Sequence, residues 1–182
     1  MEPATETING TGKKPMFKPV KSKAWIKGAI FGPYGIGKTT LLLTLPPERT
    51  LFVDFEAGDL AVKGFPEENI IRPRSWPEAR ALAAVIGGID PAADQNDIKP
   101  YSARYREAAL QSFPIDLDKY DNIFFDSITV ASRLALKWVK QQPEAHDKQG
   151  QFSNLKAYGM LGQELMNWFV HLQHTKDKNI WF

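Results

Sequence analysis

Residues 32–40 read Gly-Pro-Tyr-Gly-Ile-Gly-Lys-Thr-Thr, directly after the apolar run Ala29-Ile30-Phe31 and directly before Leu41-Leu42-Leu43. This is the G-x-x-x-x-G-K-T pattern of a phosphate-binding loop, set between a buried strand and a helix. Glycines at 32, 35 and 37 let the backbone wrap closely enough for successive N–H groups to face phosphate oxygens. A helix opening near Lys38 adds the positive end of its dipole. Gly32, Pro33, Tyr34, Gly35, Ile36, Gly37, Lys38, Thr39 and Thr40 are therefore the candidate nucleotide-contacting residues. Lys38 reaches the outer phosphates and the Thr39 hydroxyl ligates Mg²⁺, while Thr40 caps or packs the first helical turn.

Outward from that loop, the chain alternates short apolar strands with helical patterns. Residues 24–31 predict a strand leading into the loop, and residues 39–45 the helix after it, stopped by Pro46 and Pro47. Strands are expected at 50–55, 69–71 and 122–125, with another beginning at 179–182. Helices are expected from Ser75 to Ile86, from Ser102 to Gln111, from Thr129 to about Gln141, and from Leu155 to Gln173. Gly87-Gly88 ends the first of these, and residues 142–152 read as a polar loop. The alternation predicts an α/β fold with a mostly parallel sheet covered on both faces.

The chain has 182 residues, 43% hydrophobic and 24% charged, which suits one soluble globular domain. It has no cysteine, so disulfides and thiolate metal sites are excluded. No apolar run approaches the ~20 residues that span a bilayer, and a cytoplasmic protein without a membrane partner is expected. Residues 1–29 hold six lysines against two glutamates. Residues 1–21 read as a basic, disordered leader, and residues 22–182 as the folded core.

Two acids stand at strand ends, where ligands of open parallel sheets bind. Asp126 follows Ile123-Phe124-Phe125 and is a candidate Mg²⁺ ligand beside Thr39; the same Asp-Ser pair is also good helix-capping chemistry. Glu56 lies just past the second apolar strand and could orient and deprotonate a water attacking the γ-phosphate. Asp54, two residues earlier, competes for that role if the strand stays regular.

In order, the strand, phosphate loop and helix, then F-V-D-F-E-A-G-D-L, N-I-I-R-P and Y-D-N-I-F-F-D-S-I-T resemble the ATPase core of the RecA recombinases. The resemblance runs from about Ala24 to Phe182 and implies a three-layer, RecA-like P-loop NTPase. It gives Glu56 the part of catalytic base, alongside Lys38, and Asp126-Ser127 that of the Walker B end. Within that superfamily the chain most resembles small phage-encoded nucleotide-binding proteins, some of which are single-strand annealing recombinases. That likeness rests on G-P-Y-G-I-G-K-T-T, the acid of V-D-F-E-A-G, D-S-I-T and the A-Y-G-M-L-G-Q-E-L-M helix. It implies an ATP-dependent, homo-oligomeric protein of DNA recombination. The resemblance implies a polar sensor and a second DNA-binding loop after the strand that follows the long helix, so the core is expected to be cut short at Phe182. It also implies that this strand lies between the phosphate-loop and Walker B strands.

In that family the loop after the Walker B helix touches single-stranded DNA. The matching residues here are 137–154, with Lys140, His146, Lys148, Gln149, Gln151 and Phe152 diluted by Glu144 and Asp147. Arg72 and Arg74 read as surface residues or as interface groups near a neighbour's phosphates. His171 and His174, three apart on a helix, lack a third ligand and read as packing or solvent contacts. Trp25, Trp138, Trp168 and Trp181 read as core. A nucleotide-dependent switch without DNA, or a motor-type P-loop ATPase such as a helicase loader or packaging enzyme, are the alternatives.

Overall fold

The computed structural model describes residues 24–57, 62–94, 96–147 and 149–182. The leader at 1–21, Ser22, part of the F-V-D-F-E-A-G-D-L stretch and Lys148 lie outside the described residues. Five strands form one sheet, β1 (Lys27–Gly28), β2 (Thr50–Asp54), β3 (Ile70–Ile71), β4 (Asn122–Asp126) and β5 (Asn179–Trp181), in the order β1-β5-β4-β2-β3. Every pairing is parallel. The helices are α1 (Trp76–Gly87), α2 (Ala103–Ser112), α3 (Ile128–Val139) and α4 (Asn154–Gln173). Among the described residues, none of the helices is long and apolar enough to cross a membrane.

The two faces of the sheet are covered unequally. Alternation along β2 and β4 sends Leu51, Val53, Ile123 and Phe125 toward α1, α3 and α4, and Phe52 and Phe124 the other way. Trp168 of α4 anchors the helical side. Its ring lies edge-on to Phe55, Phe125 and Phe169 and close to Trp76 and Phe182. Burying a side chain of that size stabilises by roughly 1.5–3 kcal/mol. Trp76, absent from the expected core, is fully buried, whereas Trp25, Trp138 and Trp181 are half-buried.

Among the described residues the opposite face is thin. Phe52 and Phe124 meet Leu42, Val62 and Phe65, with Ile30, Leu45 and Trp181 packed around them. The helix expected at 39–45 is a six-residue 3-10 turn, Thr39–Thr44, rather than an α-helix. Only Leu42 of its three leucines is buried, and Leu41 and Leu43 are about half-exposed. An α-helix would have to run on past Leu45, but Pro46-Pro47 cannot continue one, so Leu45 N–H closes an i→i−3 bond to Leu42 instead.

Other elements follow the sequence closely. Each α-helix opens on a serine whose hydroxyl accepts a backbone N–H three residues on: Ser75 from Glu78, Ser102 from Tyr105, Ser127 from Val130 and Ser153 from Lys156. The first strand is shorter than the expected 24–31. Its backbone pairing nevertheless runs on, with Ile30 N–H donating to the Phe182 carbonyl at 2.6 Å, so extended chain is held up to the glycine loop. Polar residues 142–152 fold back on themselves: Pro143–Ala145 makes one 3-10 turn, and His146 bridges Phe152 antiparallel.

Candidate functional site

Residues 31–36 are exposed at the carboxyl end of the sheet, where β1 runs out. Gly35 and Gly37 have φ of 77° and 92°, left-handed values that side chains other than glycine rarely adopt, and they turn the loop back on itself. Lys38 folds across this turn. Its ammonium donates to the carbonyls of Gly32 at 3.0 Å and Pro33 at 2.8 Å, placing a fixed cation over the mouth of the loop.

Register then gathers the acids. β2 and β4 pair residue for residue from Thr50↔Asn122 to Asp54↔Asp126, so both aspartates end their strands at the same level. The Thr39 hydroxyl donates to Asp126 Oδ2, across 87 residues of sequence. Asp126 is 6% exposed. Burial pushes its pKa above the ordinary carboxylate value, and the nearby charges of Glu56 and Asp54 add to this; the Thr39 hydrogen bond and Lys38 oppose it. Its peptide bond to Ser127 is cis.

Glu56 lies exposed, two residues beyond the end of β2. Its carboxylate accepts the Ser127 hydroxyl, and its backbone N–H donates to Asp54 Oδ1 at 3.0 Å. Asp54 and Glu56 thus separate: the first is buried, and the second is exposed with its carboxylate on Ser127. Asp54 also meets Arg72, whose Nε lies 3.5 Å from Oδ2, and Arg72 reaches Glu67 at 2.9 Å. Arg72 is therefore engaged within its own chain, while Arg74 offers its backbone N–H to Glu78. Arg72 beside Asp54 escaped the sequence reading, because nothing in the spacing of the two residues announces the contact.

The remaining candidates sit elsewhere. Around the 142–152 segment Lys140 lies 5.9 Å from the ring of Phe152, Lys156 donates to the His146 carbonyl, and Asp147 accepts the N–H groups of Gln149 and Gln151. His171 is buried, stacked on Tyr101 at 3.9 Å and packed against Gly87. Among the described residues no group of three or more His, Cys, Asp or Glu side chains could hold a metal ion. A cleft of about 1330 Å³ is lined by Gly87, Gly88, Tyr101, Arg106, His171 and Lys178, at the ends of α1 and α4 and the approach to β5. It contains none of the loop residues.

A glycine loop closed by a lysine, with carboxylates gathered at the same edge of an all-parallel sheet, defines a P-loop nucleotide-binding domain. The chain belongs to the AAA domain family, whose model matches residues 24–182, and it is an AAA-type P-loop ATPase domain. Searches of curated proteins and of solved structures found no match.

Proposed function

We propose that this domain binds Mg-ATP in the 32–40 loop and hydrolyses it, as an oligomeric protein of phage-type DNA recombination acting on single strands. The observation that carries the nucleotide part is the Thr39–Asp126 contact, made while Lys38 lies over the glycine turn. That Thr39 and Asp126, from two distant stretches of sequence, touch beside the Lys38 turn supports a triphosphate site there.

In this mechanism the loop amides and Lys38 hold the β- and γ-phosphates. The Thr39 hydroxyl and the Asp126 carboxylate are hard oxygen donors of the kind Mg²⁺ takes, and they already touch, so this pair fits the ion. When bound, Mg²⁺ supplies neutralisation of the phosphate charge. Glu56 accepts a proton from the attacking water while keeping its exposed place beside Ser127. Lys38 is free to exchange its two carbonyl partners for phosphate oxygens, because those carbonyls are also open to water.

Binding isotherms with Mg-ATP test the first step. Lys38→Ala should weaken affinity at least tenfold; equal affinity would remove the proposal's basis. Glu56→Gln should retain nucleotide binding and lose turnover by about 10²–10⁴-fold, the usual range for a general base. DNA contact rests on the likeness to RecA-like proteins and on Lys140, His146 and Phe152 sharing one folded segment. A salt-dependent shift of labelled single-stranded DNA would support it, since phosphate contacts weaken steeply with salt. No shift at low salt would favour the nucleotide switch, and unwinding or translocation the motor.

A further inference from the structure

We propose that Asp54 and Arg72 form a positioning pair that holds the main chain of Glu56 so that its carboxylate meets the loop. This rests on Glu56 acting at that edge as proposed above. The last sheet bond on β2 is Phe55 N–H to the Asp126 carbonyl. Beyond it Glu56 has no strand neighbour to fix its direction. Its N–H is taken instead by Asp54 Oδ1, two residues back along its own chain. The Asp54 side chain is fully buried, and a buried carboxylate is retained only where a cation and hydrogen bonds compensate it. Arg72, just past β3, supplies the cation and is itself tied to Glu67 on the surface.

The result is a chain of contacts from Glu67 through Arg72 and Asp54 to the Glu56 amide. At the other end the Glu56 carboxylate is held by Ser127, whose oxygen also caps α3. Glu56 is thus pinned by its amide from the β2–β3 side and by its carboxylate from β4. A general base needs this: a displacement of about 1 Å at a reacting group can cost on the order of 10²-fold in rate. Asp54 also adds to the charge repulsion on Asp126, so turnover of an Asp54 variant reports on both acids, and the Glu56 amide is the readout particular to the pair.

Two measurements test the pair. In the ligand-free protein, hydrogen exchange followed by NMR should find the Glu56 amide protected in the wild type. It should be unprotected in Asp54→Ala and still protected in Asp54→Asn, which keeps an acceptor oxygen. An unprotected wild-type amide would overturn the inference. In turnover assays, Arg72→Met should lower kcat tenfold or more with KM for Mg-ATP within twofold, and Arg72→Lys should recover part of the loss. Unchanged kcat, or a proportional rise in KM accompanied by a fall in Tm, would mean that the pair only stabilises the fold. If Arg72→Met does not fold, the Glu56 amide, protected in the wild type and Asp54→Asn but not in Asp54→Ala, still decides the inference. Glu56→Gln is run beside them. If its turnover persists, the base assignment fails, while the amide protection still judges the pair on its own.

Discussion

Single residues at the carboxyl edge work against the stability of the ligand-free protein. Asp126 is buried beside Glu56 and Asp54, and burial and like charge both penalise its ionised form. Its folded pKa lies above the unfolded value, so as pH rises through that raised pKa the protein loses stability. Replacing the charge while keeping the shape should help: Asp126→Asn is expected to raise the ligand-free Tm at pH 7. The same variant should weaken Mg-ATP binding, and a thermal melt with and without Mg-ATP checks both. Lower Tm in Asp126→Asn would mean that the Thr39 bond to the carboxylate outweighs the crowding. Much of this site was legible in the sequence, since the glycine pattern fixes the loop and apolar runs fix the strand ends. The division between Asp54 and Glu56 was not legible. Period-two alternation says only that both face one way; it cannot tell which acid acquires a cation from β3.

At the level of elements, helix starts are legible to within a residue or so. Ser75 and the Asp126-Ser127 pair read as capping chemistry, whereas Ser153, which caps α4, has no such signal in the reading of that helix from Leu155. What propensity could not supply was the geometry after the loop. Three leucines look like an α-helix, but two prolines leave room only for a tighter turn. Trp76 sits at the first helical position, where the sequence shows a cap and not a buried stripe, yet its ring is fully buried. The close approach of α1 and α4 gives a sharp prediction. A Cβ on Gly87 would lie 2.5 Å from His171 Nε2 and 3.1 Å from the His171 carbonyl, and backbone cannot yield as a side chain can. Gly87→Ala should therefore destabilise by about 1–3 kcal/mol, the usual cost of overpacking, measured by urea unfolding. Gly159→Ala on α4, where a Cβ meets nothing within 4 Å, is the control and should be neutral or stabilising.

Across the whole molecule, pH should act through His171. It is buried against Tyr101 and Gly87, facing Asp90 and His174, and burial pulls its pKa below 6.5 despite the attraction of Asp90. Below 6.5 the unfolded chain binds the proton more readily than the folded one. Stability should therefore fall as pH drops from 6.5 through the lowered value. A Tm profile from pH 7.5 to 5 should slope downward, and His171→Gln should flatten that slope whatever it does to the absolute Tm. Alternating strands and helices imply parallel pairing without saying which strand lies next to which. The place of β5 between β1 and β4 is what the RecA-like resemblance implies, and the sheet has it there. That order has a kinetic consequence. β5 is wedged between β1 and β4, and the contact of Ile26 with Asn179 closes a loop of 153 residues. Local hairpins cannot seed such a sheet, and loop closure of this length is slow. During synthesis residue 181 must leave the ribosome before β1 gains the strand it pairs with among the described residues, whereas Ile30 and Leu42 can already pack on Phe52 and Phe124.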